Sequence, residues 1–370
     1  MEEDRGRGRV FQPSWKPGSG HYGDTLGRVN EHASNIVQDL FLGYLDTVPV
    51  PRKRGVFTIG DYGTSDGYAS MNLMKRVIGH LRDKHGEELA IQVVYEDQEK
   101  NDFNSLFNRL SGESSYTLQY KNVFPMATNI NFYQQCVPDG TCDVIYSAAT
   151  FADALYHYSP MATEDELRHF RQEAASQWQD FLLLRAKELK PGGLLVVLLI
   201  ASDDDYRDLV LKPDVRESNG DVIKRTAVSS LGITMATEQA WRDLRNTTRP
   251  PREITAPFDE VTSPVREAGL SLVHHDQQYV QDPYKAAFRQ LAIQDDGRRA
   301  FADYMVDVTR TVFGALLRES LSKTRAVEEK NVIVEKYFDI LRKLILRADL
   351  ENFHNHIIYS RLVVRKECRQ

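Results

Sequence analysis

Apolar residues recur along the chain with two spacings, one typical of helices and the other of buried strands. Apolar side chains three or four residues apart predict amphipathic helices over residues 30–48, 68–82 and 170–189. Short apolar runs predict strands over residues 56–59, 89–97, 142–149, 194–200, 270–280 and 357–366. Strands and helices alternate over much of the chain, so we expect an α/β fold with a mostly parallel sheet.

The run "LLVVLLI" at residues 194–200 is apolar at every position, which is typical of a central strand that is buried on both faces. It follows "KPGG", and we expect Gly192 and Gly193 to end the preceding helix as its C-cap.

The pattern also divides the chain into a core, a cap and an N-terminal segment. We predict that residues 1–20 are a flexible segment. Residues 21–201, 263–284 and 351–370 are predicted to form the α/β core, which carries the ligand site at its strand ends. The polar, partly helical stretches 202–262 and 285–350 are predicted to form a cap over the sheet and that site.

Composition narrows the class of protein. The 370 residues are 41% hydrophobic, which favours a globular core, and the formal net charge of −6 argues against nucleic acid as a partner. The longest apolar run, residues 194–201, is too short to span a bilayer, and the charged N-terminus lacks the apolar part of a secretory signal. Three cysteines make a disulfide framework unexpected, so we predict a cytoplasmic protein without a metal site.

A glycine-rich turn follows the first predicted strand. The segment "IGDYGTSDG" places Asp61 at the strand end and Gly63 and Gly67 in the turn, where a ligand can approach the bare backbone. A carboxylate there repels pyrophosphate and attracts a cation, which argues against a nicotinamide oxidoreductase. S-adenosylmethionine carries an ammonium group, a sulfonium group and ribose hydroxyls. The second predicted strand ends in "YED", so Glu96 or Asp97 is available for the hydroxyls.

"NDFNSLF" at residues 101–107 follows this second acid directly. Together with the glycine turn it resembles the SABATH family of S-adenosylmethionine-dependent methyltransferases, and the resemblance extends loosely over nearly the whole chain. It implies a Rossmann-like class I methyltransferase fold with a central, mostly parallel, seven-stranded sheet and a helical cap.

The resemblance also implies roles for individual residues. Asp61 and the glycine turn would hold the aminocarboxylate end of the cofactor, and Asp97 would accept hydrogen bonds from the ribose. The full predicted cofactor set is Lys16, Asp61, Gly63, Ser65, Gly67, Asp97, Gln98, Asn131, Phe132 and Ser147.

The acceptor side departs from the family pattern, because the segment 146–160 has no tryptophan where plant members have one. Tyr156 and His157 fill that region and are the predicted substrate contacts together with Gln38, which matches the family glutamine. Gln38 and His157 are the predicted orienting donors. Family members methylate carboxylates or ring nitrogens, and a carboxylate is already ionised near pH 7, so it needs no general base.

We therefore expect a homodimeric enzyme that methylates a small carboxylic acid. Two alternatives stay open at this point. One is N-methylation of an amine or a heterocycle, and the other is an inactive binding protein on the same fold.

Overall fold

In a computed structural model of the chain, the structure describes residues 21–51, 55–148, 164–204, 249–281, 296–348 and 356–368, together with residues 223, 226–227 and 230–231. The strands are β1 Val56–Tyr62, β2 Ala90–Glu96, β3 Val123–Thr128, β4 Cys142–Ala148, β5 Leu189–Ile200, β6 Leu270–Gln281 and β7 His356–Lys366. The helices of this part are α1 His21–Leu45, α2 Tyr68–His85, α3 Phe103–Leu110, α4 Tyr116–Gln119, α5 Glu164–Glu188, α6 Pro251–Asp259, α7 Pro264–Glu267, α8 Gly297–Ser320 and α9 Val327–Arg347.

All seven strands form one sheet in the order β3-β2-β1-β4-β5-β7-β6. β1 to β5 run parallel, and β7 pairs antiparallel with both β5 and β6. The predicted mostly parallel, seven-stranded sheet is thereby confirmed. The chain moves outward from β1 to β2 and β3, then returns to the other side of β1 for β4. Such a switch point opens a crevice at the carboxyl ends of the strands.

The sheet is covered on both faces, which explains why its central strands are apolar at successive positions. One buried cluster joins it to α1 and α2 through Phe41 and Met74, and another joins it to α5 through Trp178. Within β5, residues 194–199 are all buried. The covered sheet is thus the base from which the loops after β1, β2 and β3 extend.

Two local features differ from the sequence expectation. β3 was not predicted, because it is a half-exposed edge strand that contains Pro125 and has no clear apolar alternation. The expected C-cap at Gly192 and Gly193 is wrong, since α5 ends at Glu188 and both glycines belong to β5. Gly192 has a φ of 81°, and a Cβ there would lie 2.8 Å from Cγ of Pro49.

Two helical regions lie in the predicted cap. The helices α8 and α9 share a separate buried hydrophobic cluster, which includes Phe301 and Phe338. α6 packs differently, because its Ile254 belongs to the Trp178 cluster and its carbonyl accepts a bond of 3.0 Å from the Trp178 indole. The division into core and cap remains a proposal. None of the described helices is long and apolar enough to cross a membrane.

Candidate functional site

The loops that follow β1 and β2 are joined by hydrogen bonds at the carboxyl edge of the sheet. The backbone N–H groups of Gly63 and Thr64 donate to the carbonyl oxygen of Glu96 at 2.9 and 3.1 Å. The N–H of Ser65 donates to Oδ2 of Asp97 at 2.6 Å, and Oδ1 accepts from the Gln98 N–H at 2.8 Å. Residues predicted from two separate segments therefore form one site.

The glycine turn needs a backbone that most residues avoid. Gly63 and Gly67 have φ values of 75° and 74°, and Ser65 has one of 54°. At Gly67 a side chain is also excluded by space, because a Cβ would lie 2.6 Å from Cδ1 of Leu106. The turn is thus fixed by conformation at its start and by packing against α3 at its end.

The motif "NDFN" holds this turn in place. The Asn101 side chain donates to the carbonyl of Ser65 at 2.6 Å, and the Asp102 carboxylate caps the start of α3. At the other end of α3, Arg109 makes a 2.9 Å ion pair with Asp66. Asp66 is 1% exposed within the glycine turn, and the Arg109 guanidinium also lies 4.8 Å from the centre of the Tyr68 ring, so α3 contacts the chain on both sides of Gly67. No local pattern pairs Arg109 with Asp66, because the two residues lie 43 positions apart.

Asp61 lies behind the turn with 2% of its surface exposed. Its Oδ2 accepts a hydrogen bond of 3.0 Å from the Thr64 hydroxyl, which ties the strand end to the turn. Burial raises the pKa of Asp61 to about 6, although hydrogen bonds from Ser70 and Thr64 lower it. The predicted contact between Asp61 and the cofactor stays a prediction, and its structural partner is the turn itself.

Glu96 is the last residue of β2 and Asp97 follows it, and each carboxyl group accepts a hydrogen bond from the glycine turn. Burial raises the pKa of Asp97 to about 6, against the hydrogen bonds from Ser65 and Gln98. Glu96 is fully buried, and burial together with the charge of Asp97 raises its pKa well above the usual range. Its Oε2 accepts from the Gly63 N–H at 3.2 Å, while Oε1 has no hydrogen-bond partner in the described part of the chain.

Glu96 was available in the sequence for the ribose hydroxyls as an alternative to Asp97, and the family resemblance assigned that role to Asp97 alone. The signal was present as two consecutive acids at a strand end, whose side chains point to opposite faces of the sheet. A buried carboxyl oxygen without a partner needs a ligand or a proton, because burial of an unpaired polar atom is costly.

Three further residues of the predicted cofactor set are described, namely Ser147, Phe132 and Asn131. Ser147 pairs in register with Tyr62, and its buried hydroxyl donates to the Tyr62 carbonyl at 3.0 Å. Phe132 is 8% exposed and packs edge-on against Phe181, with ring centres 5.9 Å apart. The Asn131 side chain accepts the N–H two residues later at 3.0 Å, which shapes the turn after β3.

The acceptor side rests on fewer residues. Gln38 lies half-buried on α1, beside the fully buried Val37. Lys16, Tyr156 and His157 lie outside the described residues, so their predicted roles stay predictions. Where side chains are described, no group of three or more histidine, cysteine or acidic residues is arranged to hold a metal ion.

Comparison with known proteins points to one class of protein. A family described as SAM-dependent carboxyl methyltransferase matches residues 25–244, more than half of the chain. Methyltransferase LUC1 of a Fusarium species is 28% identical over 166 residues, which cover 43% of this chain and 44% of that protein. A protein of Arabidopsis thaliana named as a probable S-adenosylmethionine-dependent methyltransferase is 28% identical over 167 residues, which cover 39% of this chain and 46% of that protein.

The matched segments thus span less than half the length of these curated relatives. Among solved structures, a loganic acid methyltransferase with SAH superposes with a TM-score of 0.66 at 14% identity, over 95% of this chain and 98% of that one. At that identity the likeness shows a shared fold.

Proposed function

The chain belongs to the SAM-dependent carboxyl methyltransferase family, and on that premise we propose that it transfers a methyl group from S-adenosylmethionine to the carboxylate of a small molecule, giving a methyl ester. The observation that carries this proposal is the family match over residues 25–244, which includes the glycine turn, the acids after β2 and the turn after β3.

The residues at the carboxyl edge of the sheet fit this cofactor. Gly63 and Gly67 leave the turn open to a close ligand, and Asp61 supplies negative charge for an ammonium group. Asp97 would take the ribose hydroxyls, and the unpartnered Oε1 of Glu96 offers a further polar contact beside it. Phe132 would pack on the adenine and Ser147 would lie near the methionine part. The bound cofactor supplies an electrophilic methyl group on a positively charged sulfur.

The work left to the chain is alignment and exclusion of water. A carboxylate acceptor has a pKa of about 4.3 and is ionised at neutral pH, so no side chain has to remove a proton. The acceptor oxygen has to be held in line with the methyl group and stripped of water. Gln38 is the proposed orienting donor, since an amide can donate to a carboxylate at any pH, and His157 is proposed beside it.

The relatives support the same reading. The solved structure that shares the fold is named a loganic acid methyltransferase, so its own substrate is an acid. The acceptor of this chain is proposed only as a class, because the segment that holds Tyr156 and His157 departs from the family pattern.

A methyl-transfer assay across pH 6 to 9 tests the proposal, with matched panels of carboxylic acids and amines as acceptors. For the best acid, we expect a rate that stays within about threefold over this range, because the nucleophile is ionised throughout. Preference for the amine panel, with a rate that rises in proportion to hydroxide, would contradict the carboxylate proposal. SAH binding without turnover on either panel would indicate an inactive binding protein.

A further inference from the structure

The apolar face of α5 holds two opposite charges in the protein core. Arg185 and Glu188 lie three residues apart, and both side chains are completely buried. The guanidinium contacts both carboxylate oxygens, with Nε 2.7 Å from Oε2 and Nη2 2.9 Å from Oε1. A buried ion pair offsets its desolvation only when the remaining donors and acceptors are also satisfied, so the further partners reveal what the pair holds.

Those partners are backbone groups of one turn, the segment 131–136 that follows β3. Arg185 donates from Nη1 to the carbonyl of Phe132 at 2.8 Å and from Nη2 to that of Gln134 at 2.9 Å. Glu188 accepts the N–H of Cys136 at 2.6 Å. The segment is neither helix nor strand. Its backbone groups therefore form hydrogen bonds with the side chains of α5 in place of the hydrogen bonds that a helix or a sheet would provide.

The same pair contacts the strand that leads into the glycine turn. Tyr62 ends β1, and its hydroxyl donates to Oε2 of Glu188 at 3.0 Å. The Arg185 guanidinium lies 4.8 Å from the centre of the Tyr62 ring. The ring folds back along the strand over Gly60, where a Cβ would lie 2.7 Å from its Cε1. The ion pair therefore links the end of β1 to the turn after β3.

We propose that Arg185 and Glu188 are positioning residues for the cofactor, which set the 131–136 turn at a fixed distance from the glycine turn. This inference rests on the proposed function, in which Phe132 of this turn packs on the adenine. Neither charged side chain touches the ligand. They act by holding the turn in its binding conformation beforehand, so that binding does not have to order it.

The test replaces the pair by Arg185→Met together with Glu188→Met. This double variant keeps the volume and leaves no unpaired buried charge, a change that cores tolerate well. It removes the hydrogen bonds that the Arg185 and Glu188 side chains make to the turn. The matched control is Asp165→Met with Arg168→Met, an exposed ion pair with the same spacing on the same helix.

SAH affinity by calorimetry and the melting temperature without ligand are the main measurements. We expect the buried double variant to fold with a lower melting temperature, because backbone groups of the turn lose their partners, and to bind SAH about tenfold more weakly, since the turn must now be ordered on binding. The KM for S-adenosylmethionine should rise by a similar factor, while kcat at saturating cofactor should hold. The exposed double variant should match the wild type throughout.

A folded buried variant with wild-type SAH affinity would overturn the inference and leave the proposed function intact. If that variant fails to fold, Tyr62→Phe decides, because it removes only the hydroxyl that meets Glu188. We expect SAH affinity about threefold lower in Tyr62→Phe, and an unchanged affinity overturns the inference. Failure of the wild type to bind SAH would overturn the proposed function, and the inference with it.

Discussion

The carboxylate of Asp97 accepts a hydrogen bond from the backbone N–H of Ser65, and the two atoms are 2.6 Å apart. Asp97, which follows β2, thus stabilises the glycine turn, which follows β1. Because this hydrogen bond joins Asp97 to the glycine turn, a ligand that binds Asp97 also depends on the conformation of the turn. Cofactor affinity should therefore depend on this contact in more than one way.

Replacing Asp97 by Ala should weaken SAH binding by about 1.5–3 kcal/mol, because a charged acceptor loses its ligand partners and the turn loses a bond. Calorimetry measures the change. Glu99→Ala is the matched control, since Glu99 is an exposed acid two residues later. Equal affinities in the two folded variants would show that Asp97 does not bind the ribose.

The affinity for SAH should fall as the pH falls through 6. Burial raises the pKa of Asp97 to about 6, and the ribose hydroxyls donate best to its ionised form. We expect SAH to bind about tenfold more weakly at pH 5 than at pH 7. Asp97→Asn should flatten this profile, leaving the smaller part that comes from Asp61. A wild-type affinity that is constant from pH 5 to pH 7 would contradict the assignment.

The ionised carboxylate of Asp61 should lower the free energy of unfolding at neutral pH. Its pKa rises from 3.8 to about 6 on burial, so the folded chain binds a proton more tightly than the unfolded chain between these values. Stability present below pH 4 is then lost as the pH rises through 6, by about 3 kcal/mol at most.

The variant Asp61→Asn keeps an acceptor for the Thr64 hydroxyl and removes the charge. We expect it to be more stable than the wild type at pH 7.5 and equally stable at pH 4, as measured by urea unfolding. Its SAH affinity should be lower, because the ammonium group loses a counter-charge. A loss of stability at pH 7.5 would be the opposite of this expectation.

Gly67→Ala should harm cofactor binding more than its backbone strain explains. Gly67 and Gly86 have nearly the same φ, 74° and 75°, at the two ends of α2. A Cβ at Gly86 meets nothing within 4 Å, whereas one at Gly67 meets Leu106. Gly86 has a ψ of −177°, against −2° at Gly67, and this region is adopted almost only by glycine, so Gly86→Ala carries at least as much backbone strain without touching the turn.

We expect Gly67→Ala to weaken SAH binding, since the turn or the Leu106 side chain must shift, whereas Gly86→Ala should lose stability only. Gly86→Ala should bind SAH as the wild type does. Thermal unfolding with and without SAH gives both quantities, and an equal ligand-induced shift in the two variants would argue against the turn as the binding element.

Gln38→Ala should lower turnover on the best acid acceptor while SAH affinity stays within about twofold, because the amide is proposed to orient the acceptor alone. Asn35→Ala is the control, as an exposed amide one turn earlier on α1. If SAH affinity and turnover fall together in Gln38→Ala, the glutamine belongs to the cofactor side or to the fold.

The sequence by itself determined six of the seven strands, the helices α1, α2 and α5 and the order in which they alternate, because those depend on the period of apolar positions over a few residues. It also located the glycine turn, since a bare backbone after a strand is a local property of Gly63 and Gly67. β3 escaped because an edge strand that is half exposed and contains Pro125 has no such period.

Only the tertiary structure decided which charges are buried together. Arg185 falls on the apolar stripe of α5 with Trp178 and Phe181, and a charge in that place predicts burial without naming the partner. Its partners lie on β1 and in the turn after β3, about 50 to 120 residues away in sequence. Burial of the Glu96 Oε1 atom without a partner in the described part of the chain also follows from the tertiary structure and not from the local sequence. Local pattern sets conformation, whereas the pairing of buried polar groups depends on which distant segments the sheet order brings together.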